Sequence, residues 1–247
     1  MALLEKKIGR VTVKVDYDDC AESPREWDDL STIYSAHRRY SPDNHSIDEI
    51  LDEDGNLITD GKVCLAVWMF EHSGCSFETA ELGEGNPFGN GMYARFDSGQ
   101  FGVIAMSIKD AKREWGKNYE ERAKNWMEGC IEDYDKWQRG EVYRWSLVDE
   151  DGEEIESVGG WYDENEALSE GVSVAKAYVE REIQEVENML ENATFDELKS
   201  KYYEMATPAP LWADEVLGLV EEGKAKEWLK KKLREMIGEE SDWIEVL

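Results

Sequence analysis

Three short polar segments carry the residue types that acid–base or anion-binding chemistry requires. Trp27-Asp28 leads toward His37-Arg38-Arg39-Tyr40, Glu71-His72-Ser73-Gly74 follows, and Asp97-Ser98-Gly99-Gln100 is the third. The chain has three histidines, and two of them fall in these segments. An imidazole exchanges a proton near neutral pH, a carboxylate beside it fixes its orientation, and a guanidinium grips an anion with paired N–H groups. On that chemistry His37 or His72 is the candidate acid or base and Asp28 or Asp97 its orienting partner. Arg38 and Arg39 hold an anionic group, and Ser73 and Gln100 complete the pocket. The same residues also suit a ligand pocket without chemistry, for instance one for a nucleotide. Equally, they suit a structural role, tying the ends of buried strands together with glycines at the turns. No catalytic residue is assigned on this basis.

Other chemistries are weaker. Cys64, His72 and Cys75 offer two thiolates and an imidazole, but strand alternation sends neighbouring side chains to opposite faces, and a closed zinc site would need His37 or Cys20 as a fourth ligand. No metal or other cofactor is expected. The glycine-rich run 83–91 lacks the Lys-Ser or Lys-Thr ending of a phosphate loop, and the acidic turn at 52–56 lacks the glycine position of an EF-hand. The four cysteines show no paired spacing and read as reduced thiols in a reducing compartment.

The elements that must position these groups follow from periodicity. Residues 8–17 alternate as a half-buried strand, 62–71 form an apolar run of strand length, and 92–97 and 100–107 read as strands. Residues 22–40 carry a Ser23 cap and Pro24, so a short helix is expected there, and 46–58 hold another short helix and a turn. A helical pattern covers 107–140, broken near Gly116 and Gly129, with Trp115, Tyr119, Trp126, Tyr134 and Trp137 on one apolar face. A hairpin across Glu150-Asp151-Gly152 and a long amphipathic helix over about 164–192, interrupted only by Gly171, come next. Helical segments at 195–205, 211–223 and 224–240 end the chain, the last two preceded by the Pro208 and Pro210 breaks. The expected fold class is α+β, a small and mostly antiparallel twisted sheet packed by helices. The main domain spans 1–193, and 194–247 form a C-terminal helical appendage.

Charge sets the partner class. The chain carries 57 acids against 28 bases, a formal charge of −29. Phosphate binding needs a basic stripe, so nucleic acid is not expected as a direct ligand. The 41% apolar content, with ten tryptophans, speaks for a folded chain rather than an acidic tail. No apolar run is long enough to span a membrane and the start has no signal-peptide core, so the expected location is the cytoplasm. Between Glu141 and Glu197 there are 18 acids against Arg144, Lys176 and Arg181. Within that stretch Asp149, Glu150, Asp151, Glu153, Glu154, Glu156, Asp163, Glu164 and Glu166 are the candidate binding residues, their carboxylates standing where phosphates would stand in a basic groove. Lysines concentrate instead on 224–234, where docking onto an acidic face or simple solvation accounts for them.

The segments SPREWDDLSTIYSAHRRY, EHSG and FDSGQFG, in that order, resemble a group of uncharacterised acidic proteins from phages and other mobile elements. That family carries runs of the form SPREWDNLGTM, HRRY, DHSG and WDSGQVG. The resemblance covers about residues 10–165. Asp29 and Ser31 depart from the first run, Phe96 replaces a tryptophan, and the tail beyond about 200 is peculiar to this chain. The family supplies no reaction. What the resemblance implies is a context of defence evasion, such as anti-CRISPR or antirestriction activity. With the charge, it gives the expected function: an acidic DNA-mimicking protein, not an enzyme, that inhibits a host nucleic-acid-handling or anti-phage defence enzyme in the host cytoplasm. The alternative is an enzyme or nucleotide-binding protein using the His/Asp/Arg pocket.

Overall fold

The structure is a computed structural model of the 247-residue chain, described over residues 2–27, 30–89, 91–205 and 222–240. It is α+β, as its alternating and helical patterns require, with twisted antiparallel sheets packed by helices. Two compact units divide it. One comprises Met1–Asp16 with Arg144–Leu247, and the other is Tyr17–Tyr143, inserted between the two pieces of the first. The boundary expected near residue 193 falls inside the first unit.

The first unit contains the four-stranded sheet, ordered β1-β2-β8-β9, of β1 (Leu4–Ile8), β2 (Val11–Tyr17), β8 (Tyr143–Val148) and β9 (Glu154–Trp161). Alternation in β2 buries Val11, Val13 and Val15, and β8 buries Trp145 and Leu147. The long helix α4 (Glu164–Asn192) starts on an Asp163 cap and buries Ala167, Gly171, Ala175 and Val179 at helical spacing. Gly171 is the point of closest approach: a Cβ there would lie 2.6 Å from Val13 Cγ1 and 3.2 Å from Trp145 Cγ. Beyond it, Leu190 clusters with Leu198 and Tyr202 of α5 (Phe195–Met205) and with Leu229 and Leu233 of α6 (Glu222–Glu240). The lysine-rich last helix docks on acids, since Lys230 meets Glu191 at 2.8 Å and Arg234 meets Glu187 at 2.7 Å and Glu191 at 2.9 Å. Residues 211–221 of the expected segment 211–223, and the breaks at Pro208 and Pro210, lie outside the described residues.

The second unit holds a five-stranded sheet, ordered β4-β3-β7-β5-β6, from β3 (Ser31–Ser35), β4 (His45–Ser46), β5 (Lys62–Glu71), β6 (Cys75–Ala80) and β7 (Ser98–Ser107). β7 is antiparallel to both β3 and β5. Helices α2 (Ile108–Trp115) and α3 (Tyr119–Gln138) cover one face, packing Ala111, Ala123, Met127, Ile131 and Tyr134 against Leu65, Val67, Ile104 and Met106. Ile50, with Ile47 and Leu57 beside it, covers Cys64, Val103 and Ala105 on the other face. Gly116, at φ +63°, separates the two helices, whereas α3 runs unbroken through Gly129.

Two further expectations are corrected. Residues 92–97 form a short helix, α1 (Met92–Asp97), because the strand begins at Ser98 and Asp97 terminates the preceding turn. Ser23 and Pro24 do cap a helical turn, but it is a single 3-10 turn at Pro24–Glu26, and the β-branched Thr32 and Ile33 go into strand β3.

The register shifts between Val67 and Trp68, which pair with Gly102 and Gln100, leaving Phe101 as the extra residue of a β-bulge. The bulge changes the side-chain phase, so Phe101 joins Ile104 and Met106 on the α3 face and meets Phe77 edge-on at 5.1 Å. Next to it, a Cβ on Gly102 would stand 2.1 Å from the Tyr34 carbonyl oxygen. Gly102→Ala is therefore expected to cost about 3 kcal/mol or more in urea unfolding, since backbone rather than a side-chain tip must give way.

A second expectation concerns acid. Lys230 and then Arg234 hold the Glu191 carboxyl below the usual carboxylate range. A depressed folded value means the stability is present above the ordinary carboxylate pKa and lost as pH falls through it. Hydrogen exchange in α6, corrected for intrinsic rate, should accelerate between neutral pH and about pH 3. It should accelerate less in Glu191→Gln.

Candidate functional site

Antiparallel pairing brings the sequence motifs to one end of the five-stranded sheet. β3 and β5 both end where β7 begins, with Ser35 opposite Gly102 and Phe70 opposite Ser98. His37, His72 and Asp97 thus sit just beyond neighbouring strand ends.

His72 Nδ1 lies 2.9 Å from Asp97 Oδ2, the pairing of imidazole and carboxylate expected from their residue types. Phe70 and Tyr93 flank the His72 ring at 6.2 and 5.6 Å. Ser73 adopts φ +63°, a left-handed conformation that a side chain tolerates poorly, and its hydroxyl donates to the His72 carbonyl rather than facing a substrate. Asn86 donates to Ser98 Oγ at 2.6 Å and so closes the glycine-rich 83–91 run over the start of β7. Met92, Tyr93 and Phe96 are exposed, Phe96 by 83%, which puts an apolar ridge beside the His72–Asp97 pair.

His37 is engaged differently. Its Nδ1 accepts from the backbone N–H groups of Arg39 and Tyr40, at 3.3 and 3.2 Å, and its ring stacks between Tyr40 and Phe101. Nδ1 thus holds a turn, and Nε2 makes no hydrogen bond among the described residues. Arg39 reaches Glu71 at 2.9 Å and ties the two segments together. Arg38 is exposed with no ion pair among the described residues, and Gln100 is exposed on β7. Asp28 lies outside the described residues. Cys64 is buried in an apolar cluster while His72 is exposed, and among the described residues no group of three or more metal-ligating side chains gathers. The neighbouring Cys75 raises the pKa of the Tyr40 hydroxyl.

The residue pair that sequence reasoning missed is Arg25 with Asp43. Arg25 is buried and binds Asp43 through Nε at 3.0 Å and Nη2 at 2.7 Å, while Nη2 also donates to the Ser31 carbonyl at 3.0 Å. Asp43 Oδ2 accepts from the Ile33 N–H at 2.7 Å. The signal was present in the first motif, where an arginine stands between a helix-capping Ser-Pro and a strand.

That turn also walls a cleft of about 330 Å³ whose other side is α3, with Trp27, Trp126, Gly129 and Asp133 among its lining residues. Trp126 is 44% exposed and so leaves the apolar face that Tyr134, Trp115, Tyr119 and Trp137 pack into the core. Burial pushes the Tyr134 hydroxyl up to about 12, which keeps it neutral beside Gln138. A glycine inside a helix costs about 1 kcal/mol relative to alanine, and Gly129 has no close neighbour that would exclude a side chain.

The nine acidic candidates, all in the first unit, fall into two groups. Asp149 closes the β8–β9 turn by accepting from the Asp151 and Glu153 N–H groups, Glu154 pairs with Arg144 at 2.7 Å, and Asp163 caps α4. These three have structural work. Glu150, Asp151, Glu153, Glu156 and Glu166 are exposed and Glu164 is half-buried, and none of the six makes an ion pair among the described residues. Arg10, which lines a shallow cavity beside Asp149, Glu150 and Asp151, is held by Glu182.

Compared with known proteins, the chain significantly matches no family model, no curated protein and no solved structure. Among the described residues, no helix is long and apolar enough to cross a membrane.

Asp43→Asn should cost about 3–5 kcal/mol in urea unfolding, because it leaves a buried guanidinium without its counter-charge. His72→Ala should leave the unfolding midpoint unchanged.

Proposed function

We propose that the chain is a non-enzymatic acidic binding protein that occupies the basic, nucleic-acid-binding surface of another protein, with the β8–β9 turn and the start of α4 as its contact surface. The observation that carries this reading is the set of six carboxylates, Glu150, Asp151, Glu153, Glu156, Glu164 and Glu166, left without cationic partners around one turn and one helix start. Several acids elsewhere have cationic partners: Glu187 and Glu191 hold α6, Glu182 holds Arg10, and Asp43 holds Arg25. Six unpaired charges raise self-repulsion, so their retention is explained best by a partner that supplies the cations. The resemblance to mobile-element proteins points to a host defence or nucleic-acid-handling enzyme as that partner.

A second reading rests on the His72–Asp97 pair at 2.9 Å, a geometry that could poise an imidazole for proton transfer or ligand binding. Neither cleft described above includes it, and the Ser73 hydroxyl is bonded to the His72 carbonyl.

Capture from a bacterial lysate on the immobilised protein, followed by competition with duplex DNA, separates the two. The acidic-surface reading predicts that duplex DNA displaces the captured protein. It also predicts that affinity falls about tenfold or more between roughly 50 and 200 mM salt. Replacing Glu150, Asp151, Glu153 and Glu156 by the neutral amides should abolish capture, whereas His72→Ala and Asp97→Asn should not. Salt-independent capture lost in His72→Ala would favour the second reading.

A further inference from the structure

The cleft between the Pro24–Glu26 turn and α3 belongs neither to the His72–Asp97 end of the sheet nor to the acidic turn. Two exposed indoles line it, Trp27 and Trp126. Along α3, Asn125, Gly129 and Asp133 line it at four-residue spacing, which places them on one helix face. Gly129 lies in an unbroken helix with no positive φ, and a Cβ there would meet nothing within 4 Å. Neither backbone nor packing asks for glycine, and a larger side chain would occupy the cleft.

Asp133 supplies the polarity. It is half-buried and accepts no hydrogen bond among the described residues. Burial pushes its carboxyl up, opposed by Lys136 and reinforced by Glu132. Lys136 itself pairs with Glu132 at 3.0 Å, and the Arg25 guanidinium that lines the cleft is closed off by Asp43. Two indoles beside a carboxylate that makes no ion pair among the described residues are complementary to an organic cation whose charge is spread over methyl groups and is weakly held by water. An anion would meet the Asp133 carboxylate while the Arg25 guanidinium is already held by Asp43, and a neutral apolar group would leave that carboxylate half-buried without return.

We propose that this cleft binds an alkylated ammonium group, with Trp27 and Trp126 as its π faces, Asp133 as its counter-charge and Gly129 keeping the floor open. Two sources share this chemistry, a small quaternary amine and a methylated lysine side chain.

Isothermal titration of the full chain tests it with choline, with 3,3-dimethylbutanol as the neutral isostere of choline, and with a short trimethyllysine peptide against its unmodified form. Saturable binding of choline or of the trimethyllysine peptide in the millimolar range or tighter is expected, at least about tenfold stronger than for the neutral or unmodified control. Equal affinity of the two cations assigns recognition to the ammonium alone, and tighter peptide binding assigns it to a lysine side chain. Asp133→Asn and Trp126→Ala should each weaken binding about tenfold or more. Because the folded carboxyl value is raised, ionised Asp133 opposes folding above the ordinary carboxylate range, so Asp133→Asn should melt higher at neutral pH while binding less. Gly129→Leu should abolish binding with an unchanged or raised melting temperature. No saturable binding of either cation, equal binding of the neutral isostere, or full binding by Asp133→Asn would each overturn the assignment.

Discussion

The Arg25–Asp43 pair is the contact on which the second unit depends. One guanidinium holds Asp43 with two donors and reaches the Ser31 carbonyl, and Asp43 in turn receives the Ile33 N–H. Three stretches of chain are thereby fixed at once: the 23–27 turn, the start of β3, and the return after His37–Tyr40. Because both charges are withdrawn from water, each is costly without the other, and the bidentate geometry offsets that cost. From β3 the constraint passes to β7, where Gly102 admits the Tyr34 carbonyl and the Phe101 bulge follows. Both the end of the sheet that gathers His37, His72 and Asp97 and the turn that walls the tryptophan cleft descend from this one pair.

Charge is handled differently in the first unit. A formal charge of −29 opposes compactness everywhere, and the fold answers it locally by spending cations where helices meet. Lys230 and Arg234 are committed to Glu187 and Glu191, and Arg10 to Glu182. Among the carboxylates left without an ion pair are the six along the β8–β9 hairpin and the first turn of α4. The motifs of the first half and the unpaired acids of the second therefore do separate things: the former shape a sheet, the latter face outward. A surface of this kind can change its acids without disturbing the residues that build the fold.

Much of this was legible in the sequence, for reasons particular to each element. The alternation of Val11, Val13 and Val15 announced β2, and the amphipathic pattern over about 164–192 announced α4, although Gly171, read as an interruption, is buried inside the continuous helix. The residue types offered His37 or His72 with Asp28 or Asp97, and the structure shows the pair His72–Asp97. The errors were local signals read without their tertiary context. Tyr93 and Phe96 favour strands in general, yet six residues beside a strand start can form a helical turn when the neighbouring chain holds it. Ser23 and Pro24 gave a true helix-start signal, and only the structure shows that β3 ends the helix after one turn. Gly129 read as a helix break, but glycine costs a helix little enough that α3 absorbs it. Which acids are paired was beyond reach, since Glu187 and Arg234 meet across 47 positions.

Carboxylate footprinting is the direct measure of which surface binds. The protein would be labelled with a carbodiimide and amine, alone and in complex with the lysate protein that duplex DNA displaces, and modification would be read residue by residue by mass spectrometry. The account predicts protection at Glu150, Asp151, Glu153 and Glu156 with Asp97 labelled equally in both states. Protection at Asp97 with the four turn carboxylates still labelled would contradict it.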